Sequence, residues 1–151
     1  MRGTGEELKH KNEESIDLAA AYLGNGVVAS DLAGAEALFA TENFSSLFAE
    51  AQRKDVPFTI HAGEAAGPES IKAALRLGAQ RIGHGVRSLE DKSIIQDLKA
   101  ANVALEICPT SNVQTRIFES IERFPLEQLL DAGLTVTINT DNMTVSNTTL
   151  S

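Results

Sequence analysis

Short apolar runs alternate with longer amphipathic stretches along this chain. In residues 6–24 the apolar side chains recur every three or four positions, as at Ile16, Ala19 and Leu23. This spacing predicts an amphipathic helix that ends at the glycine-containing turn 24–26. The valine-rich run that follows, residues 27–32, is predicted to be the first strand.

The same alternation of helix and strand continues to the end of the chain. The further predicted strands are residues 58–61, 81–85, 103–108 and 134–141, and the further predicted helices are residues 43–54, 68–78, 88–102 and 125–133. Two of these helices begin with proline and end with glycine, the usual asymmetry of helix ends. The helix at 88–102 is expected to begin near Ser88 or Glu90.

Five strands that alternate with helices favour an α/β fold with a parallel sheet. An open doubly wound sheet would carry a glycine-rich phosphate turn after the first strand, and "DLAGAE" has neither GxGxxG nor GxxxxGK[ST]. Polar residues follow four of the five strands instead, which is typical of a (β/α)8 barrel. They are Asp31, His61, Glu64, His84, Asn139 and Asp141. A complete barrel needs roughly 200 residues or more, so residues 1–151 are predicted to form one domain that is part of a TIM-type barrel.

Composition narrows the range of partners and compartments. The chain has 21 acidic and 13 basic residues and a formal charge of −8, which argues against binding to nucleic acid or to an acidic membrane surface. It has neither a signal-peptide pattern nor an apolar run of 18 residues. Cys108 is the only cysteine, so no disulfide within the chain is possible. These features lead us to expect a soluble cytoplasmic protein.

Side-chain alternation places two possible metal ligands on the same face of the sheet. Phe58 and Ile60 are expected to face the helices, which leaves His61 at the inner rim of the barrel. By the same alternation, Asp141 follows the inward positions of the last strand. Imidazole nitrogen and carboxylate oxygen both suit zinc. Taken alone, His61 is also explained as a hydrogen-bonded rim histidine and Asp141 as the N-cap of a following helix.

Other polar residues have two interpretations each. Glu64 is either a proton-transfer group near a metal or a solvated loop residue. His84, between two glycines, either acts on a bound water or caps nearby carbonyl groups. Ser111 and Asn112 are interpreted as turn and cap residues after Pro109.

Three further residues have expected structural positions. Cys108 is expected to be buried at a strand end, and His10 is expected to be solvated on a charged helix. Alternation directs Glu106 toward the interior, where an unpaired carboxylate would be costly. Glu106 should therefore have a partner.

Five segments carry a resemblance to a known family. "VVASDLAGAE", "IHAGE", "RIGHGVR", "CPTSN" and "TINTDN" occur in this order. Together they resemble the adenosine deaminase family of zinc-dependent amidohydrolase barrels, from about residue 15 to the end of the chain. The family's pattern begins with a strand bearing an HxH pair, which supplies two zinc ligands, and this sequence has no HxH. His10 cannot replace that pair.

The resemblance implies a role for each matching residue. His61 and Asp141 would be zinc ligands, and Glu64 would donate a proton to N1 of the purine. His84 would orient the attacking hydroxide, as a base or as an electrostatic partner. The substrate-binding residues would be Gly34, which contacts the purine, and Asn142, which stands where many members have a second aspartate.

The implied function is zinc-dependent conversion of adenosine and 2′-deoxyadenosine to inosine-type products and ammonia in purine salvage. One alternative is a deaminase of adenine or another aminopurine, although Gly83 before His84 favours the nucleoside. Another alternative is a non-catalytic fragment that self-associates through exposed sheet edges or complements a missing half-barrel.

Overall fold

The computed structural model describes Gly3 and residues 5–150. The strands are β1 (Ser30–Leu32), β2 (Phe58–Ala62), β3 (Arg81–His84), β4 (Ala104–Ile107) and β5 (Val136–Ile138). The α-helices are α1 (Glu6–Tyr22), α2 (Ser45–Arg53), α3 (Pro68–Arg76), α4 (Lys92–Ala100), α5 (Pro109–Gln114), α6 (Leu126–Asp131) and α7 (Met143–Ser146). Short 3₁₀ helices occupy Thr41–Phe44, Val86–Glu90 and Ile121–Arg123.

The five strands form one parallel sheet whose spatial order is the same as their order in the chain. Ile60 lies opposite Ile82 in the register of β2 with β3, and Leu105 lies opposite Val136 in that of β4 with β5. A doubly wound sheet reverses its strand order at a switch point, and this sheet does not. The order is that of consecutive units of a (β/α)8 barrel, and the parallel α/β sheet predicted from the sequence is confirmed.

The core lies on one face of the sheet, where the strands meet the helices. On β2, Phe58, Ile60 and Ala62 are buried in a continuous apolar cluster that includes Ile82 and Leu105 of the neighbouring strands. The alternate positions point to the opposite face. The predicted assignment of Phe58 and Ile60 to the helix side and of His61 to the other side is therefore correct.

Several element boundaries differ from the prediction because tertiary contacts decide them. The helix predicted at 88–102 begins at Lys92, and Asp91 caps it by accepting a hydrogen bond from the backbone N–H of Ser93. Hydrogen bonds from Lys72 and Ser93 lower the pKa of Asp91 to about 2. Ser88 lies in the preceding 3₁₀ turn, so neither Ser88 nor Glu90 begins the helix.

Two interpretations of polar residues near the end of the chain are wrong. "CPTSN" is not a simple turn: Pro109 starts α5, and Ser111 and Asn112 are buried within it. The N-cap of α7 is Asn142, whose Oδ1 accepts a hydrogen bond from the backbone N–H of Val145. Asp141 precedes this cap and does not form it, so its carboxylate can have another role.

Within residues 3 and 5–150, none of the helices combines the length and the apolar character that crossing a membrane requires.

Candidate active site

A cleft of about 420 Å³ opens at the carboxyl ends of the strands. Its lining comes from all five strands or the loops directly after them, as is usual for barrel enzymes. The lining residues are Asp31, Ala33, His61, Gly83, His84, Glu106, Cys108, Asn139, Asp141 and Asn142. The cleft therefore brings together His61, His84 and Asp141, as the sequence predicted.

His61 interacts with a carboxylate from the neighbouring strand. Its Nε2 lies 3.1 Å from Oδ2 of Asp31 on β1. Burial alone would lower the pKa of His61, but the hydrogen bond and charge of Asp31, with the charges of Asp141 and Glu64, outweigh it and raise the pKa. The carboxylates around His61 thus favour its positively charged form.

His84, Glu64 and Asn112 form a buried polar group beside His61. His84 is 1% exposed, and its Nε2 lies 3.5 Å from Glu64 Oε2. Asn112 Nδ2 donates a hydrogen bond to Glu64 Oε1 at 2.9 Å and lies 3.2 Å from Nδ1 of His84. The rings of His61 and His84 meet edge to face, with centroids 5.0 Å apart. Glu64 is therefore held among site residues and is not a solvated loop side chain.

Asp141 is oriented by α5. The hydroxyl of Ser111 donates a hydrogen bond to Asp141 Oδ2 at 2.7 Å. Asp141 has a φ of 58°, a left-handed conformation that few residues other than glycine, asparagine and aspartate adopt readily. Gly34 also has a positive φ, of 122°, and it follows Ala33, which lines the cleft. Asn142 lines the same cleft while it caps α7.

The expected structural positions of the other polar residues are confirmed. Glu106 has a partner, because the guanidinium of Arg81 donates to its carboxylate across β3 and β4. Cys108 is buried directly after β4. Burial, together with the nearby charges of Asp141 and Glu64, raises the pKa of its thiol to about 12, so Cys108 is not a thiolate nucleophile at neutral pH. His10 is exposed on α1.

The donor atoms in the cleft suit zinc in kind but are few. His61 and Asp141 offer imidazole nitrogen and carboxylate oxygen, the donors that zinc takes in catalytic sites. Among residues 3 and 5–150, no group of three or more His, Cys, Asp or Glu side chains converges to hold a metal ion. Three protein ligands are the usual number in catalytic zinc sites. The described residues thus bring together two donors of the kinds that zinc takes, fewer than a catalytic zinc site uses.

Comparison with known proteins identifies the family of the chain. A family model described as "Adenosine deaminase" matches residues 2–151. The chain belongs to the adenosine deaminase family. The adenosine deaminase of Haemophilus ducreyi is 52% identical over 140 residues, which are 91% of this chain and 41% of that protein. The chain therefore spans about two-fifths of the length of this curated relative.

Solved structures of related deaminases share the fold. Adenine deaminase from Arthrobacter aurescens is 32% identical, with a TM-score of 0.79 over 88% of this chain and 41% of that one. The N6-methyl-AMP deaminase from Arabidopsis thaliana is 30% identical, with a TM-score of 0.82 over 93% of this chain and 41% of that one. Together with the strand order, these likenesses identify the fold as part of the amidohydrolase barrel.

The sequence did not reveal every residue at this cleft. Asn112 and Ser111 were assigned to a turn, although both contact site residues. Asp31 was noted only as a polar strand end. Only their positions in the chain could have indicated these three residues. Each of them ends or follows a strand whose carboxyl end faces the cleft. Glu36, which binds the loop that carries Glu64, gave no signal of this kind.

Gly83 has no side chain, and this leaves space for the imidazole of His61. A methyl group added at position 83 should therefore have a specific effect. A Cβ at position 83 would lie 2.5 Å from Cδ2 of His61. The backbone at Gly83 is not left-handed, so Gly83→Ala should fold but displace the imidazole. If His61 is a zinc ligand, as the resemblance implies, zinc affinity should fall by about 10- to 100-fold, the usual effect of disturbing the support of a ligand.

The control for this variant is Gly5→Ala, because a Cβ at Gly5 meets nothing within 4 Å. Zinc affinity is measured by competition with a fluorescent chelator. Equal affinity of the Gly83→Ala variant and the unaltered protein would contradict the assignment of His61 as a ligand.

Proposed function

We propose that this chain is the part of an adenosine deaminase that donates the proton to the purine and supplies two of the zinc ligands. The observation that carries the proposal is the group formed by Glu64, His84 and Asn112, which reaches a cleft lined by His84, His61 and Asp141. A carboxyl group, an imidazole and two metal donors at one cleft are the groups that hydrolytic deamination of a purine requires.

Glu64 is the proton donor in this proposal. The oxygen of water bonds to C6 of the purine while N1 takes the proton of Glu64. The bond from C6 to the amino group then breaks, the amino group leaves as ammonia with one proton of the water, and the other proton of the water restores the acid form of Glu64. Glu64 Oε1 already accepts the hydrogen bond from Asn112, so the transferable proton belongs on Oε2. Asn112 therefore holds the carboxyl in one rotamer and leaves one oxygen to exchange protons with the substrate.

The contact with Asn112 supports one of the two roles left open for His84. The amide nitrogen of Asn112 lies 3.2 Å from Nδ1 of His84, and we assign the tautomer in which Nδ1 accepts a hydrogen bond from this amide and Nε2 carries the proton. With its proton on Nε2, His84 acts as a hydrogen-bond donor that orients the attacking oxygen. This supports the electrostatic role and disfavours that of a general base.

Zinc would be held by His61 and Asp141 of this chain. When bound, it supplies a Lewis acid that makes water available as a nucleophile near neutral pH. Asp31 next to His61 and Ser111 next to Asp141 would orient these ligands by hydrogen bonds.

The substrate of this proposal is adenosine, or 2′-deoxyadenosine, and the runner-up is adenine. The adenosine reading rests on the 52% identity with the Haemophilus ducreyi enzyme and on Gly83 before His84. The adenine reading has the likeness to the Arthrobacter aurescens adenine deaminase in its favour. Turnover of both compounds by one preparation tests the choice, and an equal or higher kcat/KM for adenine would reverse it.

The proposal predicts that residues 1–151 alone bind zinc weakly and give little or no deamination. The reason is that His61 and Asp141 are fewer donors than the three of a usual catalytic site. We define the joined protein as the Haemophilus ducreyi enzyme in which residues 1–151 replace the matching segment. It should bind one zinc and convert adenosine to inosine, as measured by calorimetry and by ultraviolet absorbance.

Two results would contradict this prediction. Tight, stoichiometric zinc binding and steady turnover by residues 1–151 alone would show that the described donors suffice. A joined protein that folds and binds zinc but leaves adenosine unchanged would refute the proposed function. A zinc-free, monodisperse oligomer of the chain without activity would favour the self-associating fragment instead.

A further inference from the structure

Glu36 is a buried carboxylate that the mechanism above does not use. It is 5% exposed and lies in the loop after β1, outside the residues that line the cleft. Its Oε1 accepts hydrogen bonds from the backbone N–H of Gly63 at 2.7 Å and from the hydroxyl of Ser70 at 2.6 Å. Its Oε2 accepts from three successive backbone N–H groups, those of Glu64, Ala65 and Ala66, at 3.1, 2.7 and 3.0 Å.

These donors belong to the loop between β2 and α3. Residues 63–66 are neither helix nor strand, so their N–H groups have no partner within an element and need one elsewhere. The carboxylate of Glu36 accepts hydrogen bonds from all four successive N–H groups and so provides this partner. Burial alone would raise the pKa of Glu36, but the hydrogen bonds from Ser70 and from this loop outweigh it and lower the pKa. Glu36 is therefore ionised at neutral pH.

The loop that Glu36 binds contains Glu64. It begins at Gly63, and one residue separates it from His61. Asn112 holds only the carboxyl end of the Glu64 side chain, so something else must fix its backbone. Gly63 is already constrained, since its φ is 71° and an added Cβ would lie 2.4 Å from Ile71. The backbone N–H groups of residues 64–66 are held by Glu36 through three hydrogen bonds.

We infer that Glu36 is a positioning residue for deamination, which sets the place of the Glu64 carboxyl by binding the backbone of residues 63–66. The inference rests on the proposed function, because it assigns Glu36 to the same reaction. Misplacing a reacting group by about 1 Å can cost about 100-fold in rate. Loss of the Glu36 contacts should therefore lower kcat more than it changes KM.

The first test measures the loop directly in residues 1–151. Glu36→Gln keeps the size of the side chain but replaces one accepting oxygen by an NH₂ group that faces N–H donors. We expect amide hydrogen exchange of residues 64–66 to become at least about 10-fold faster, with β3 and β4 unchanged. Glu14→Gln, an exposed change of the same charge on α1, is the control and should leave every rate unchanged.

The second test measures catalysis in the joined protein. Glu36→Gln should lower kcat for adenosine by about 10- to 100-fold, with KM within about threefold. Glu36→Asp keeps the charge but shortens the reach by one methylene, so it should recover part of that loss. A purely structural role would lower the melting temperature and would change kcat only through the fraction of folded protein.

Acid titration gives a third readout of the same contacts. The folded-state pKa of Glu36 lies below its ordinary value of 4.5, so its ionised form stabilises the fold above that pH. This stabilisation is lost as the pH falls through the lowered pKa. The difference in unfolding free energy between the unaltered chain and Glu36→Gln should therefore be largest near neutral pH and should shrink below about pH 4.5.

Unchanged exchange at residues 64–66 in a folded Glu36→Gln chain would overturn the inference, as would unchanged kcat in the joined protein. If Glu36→Gln fails to fold, Glu36→Asp decides: faster loop exchange with a lower kcat supports the inference, and no change in either overturns it. A joined protein that does not deaminate adenosine at all refutes the proposed function, whereas the exchange experiment still tests the contacts of Glu36.

Discussion

Replacing Glu64 by glutamine in the joined protein should lower kcat for adenosine by about 10²- to 10⁴-fold, the usual contribution of a positioned general acid. Glutamine matches the shape of the glutamate and can still accept the hydrogen bond of Asn112 at Oε1. It carries no acidic proton at the position of Oε2. Since the contacts that orient the side chain survive, KM should change by less than about threefold.

Glu69→Gln is the matched control for this variant. Glu69 lies five residues further along, is exposed in the first turn of α3, and the change removes the same charge. Its kcat should stay within about twofold of the unaltered joined protein. A Glu64→Gln variant that keeps more than a tenth of the activity would show that the proton reaches N1 from another group.

Replacing His61 by alanine should remove zinc from the joined protein and abolish turnover. Disturbing a group that merely supports a ligand costs about 10- to 100-fold in metal affinity, so loss of a ligand should cost more than about 100-fold. The fold should survive, because the core side of β2 is formed by Phe58, Ile60 and Ala62. Bound zinc is counted by mass spectrometry after gel filtration, and circular dichroism checks the fold.

His10→Ala serves as the control, because His10 is exposed on α1 and away from the cleft. The joined protein with this change should keep one zinc and its full activity. If His61→Ala retained stoichiometric zinc, the ligand would have to be sought elsewhere, and Asp31, whose Oδ2 lies 3.1 Å from His61 Nε2, would be the first candidate.

Most of the fold could be predicted from the sequence because its core has simple periodicities. Strand β2 is bounded within one residue of the prediction, and its alternation assigned Ile60 to the core and His61 to the cleft. Strands β1 and β5 were predicted to be longer than they are. Strand ends depend on where a neighbouring strand stops pairing, and the residue pattern of a single segment does not contain that information.

The site was only partly predictable, for two physical reasons. Helix α5 has the composition of a turn, with Pro109 followed by threonine, serine and asparagine. Its helical form is favoured by burial of Asn112, which is fully inaccessible and bonded to Glu64. Glu36 was missed because its partners are mainly backbone N–H groups 27 to 30 residues away, and backbone donors leave no pattern in a sequence.

The order of the strands has a consequence for how the molecule folds. Each strand pairs with the next one in the chain, about 20 to 30 residues further along, as Thr59 does with Arg81, and pairings over short separations are closed quickly. During synthesis each new unit can therefore add to a sheet that already exists. The residues of the described cleft would come together in the same order, Asp31 with His61 before His84, and Asp141 after them.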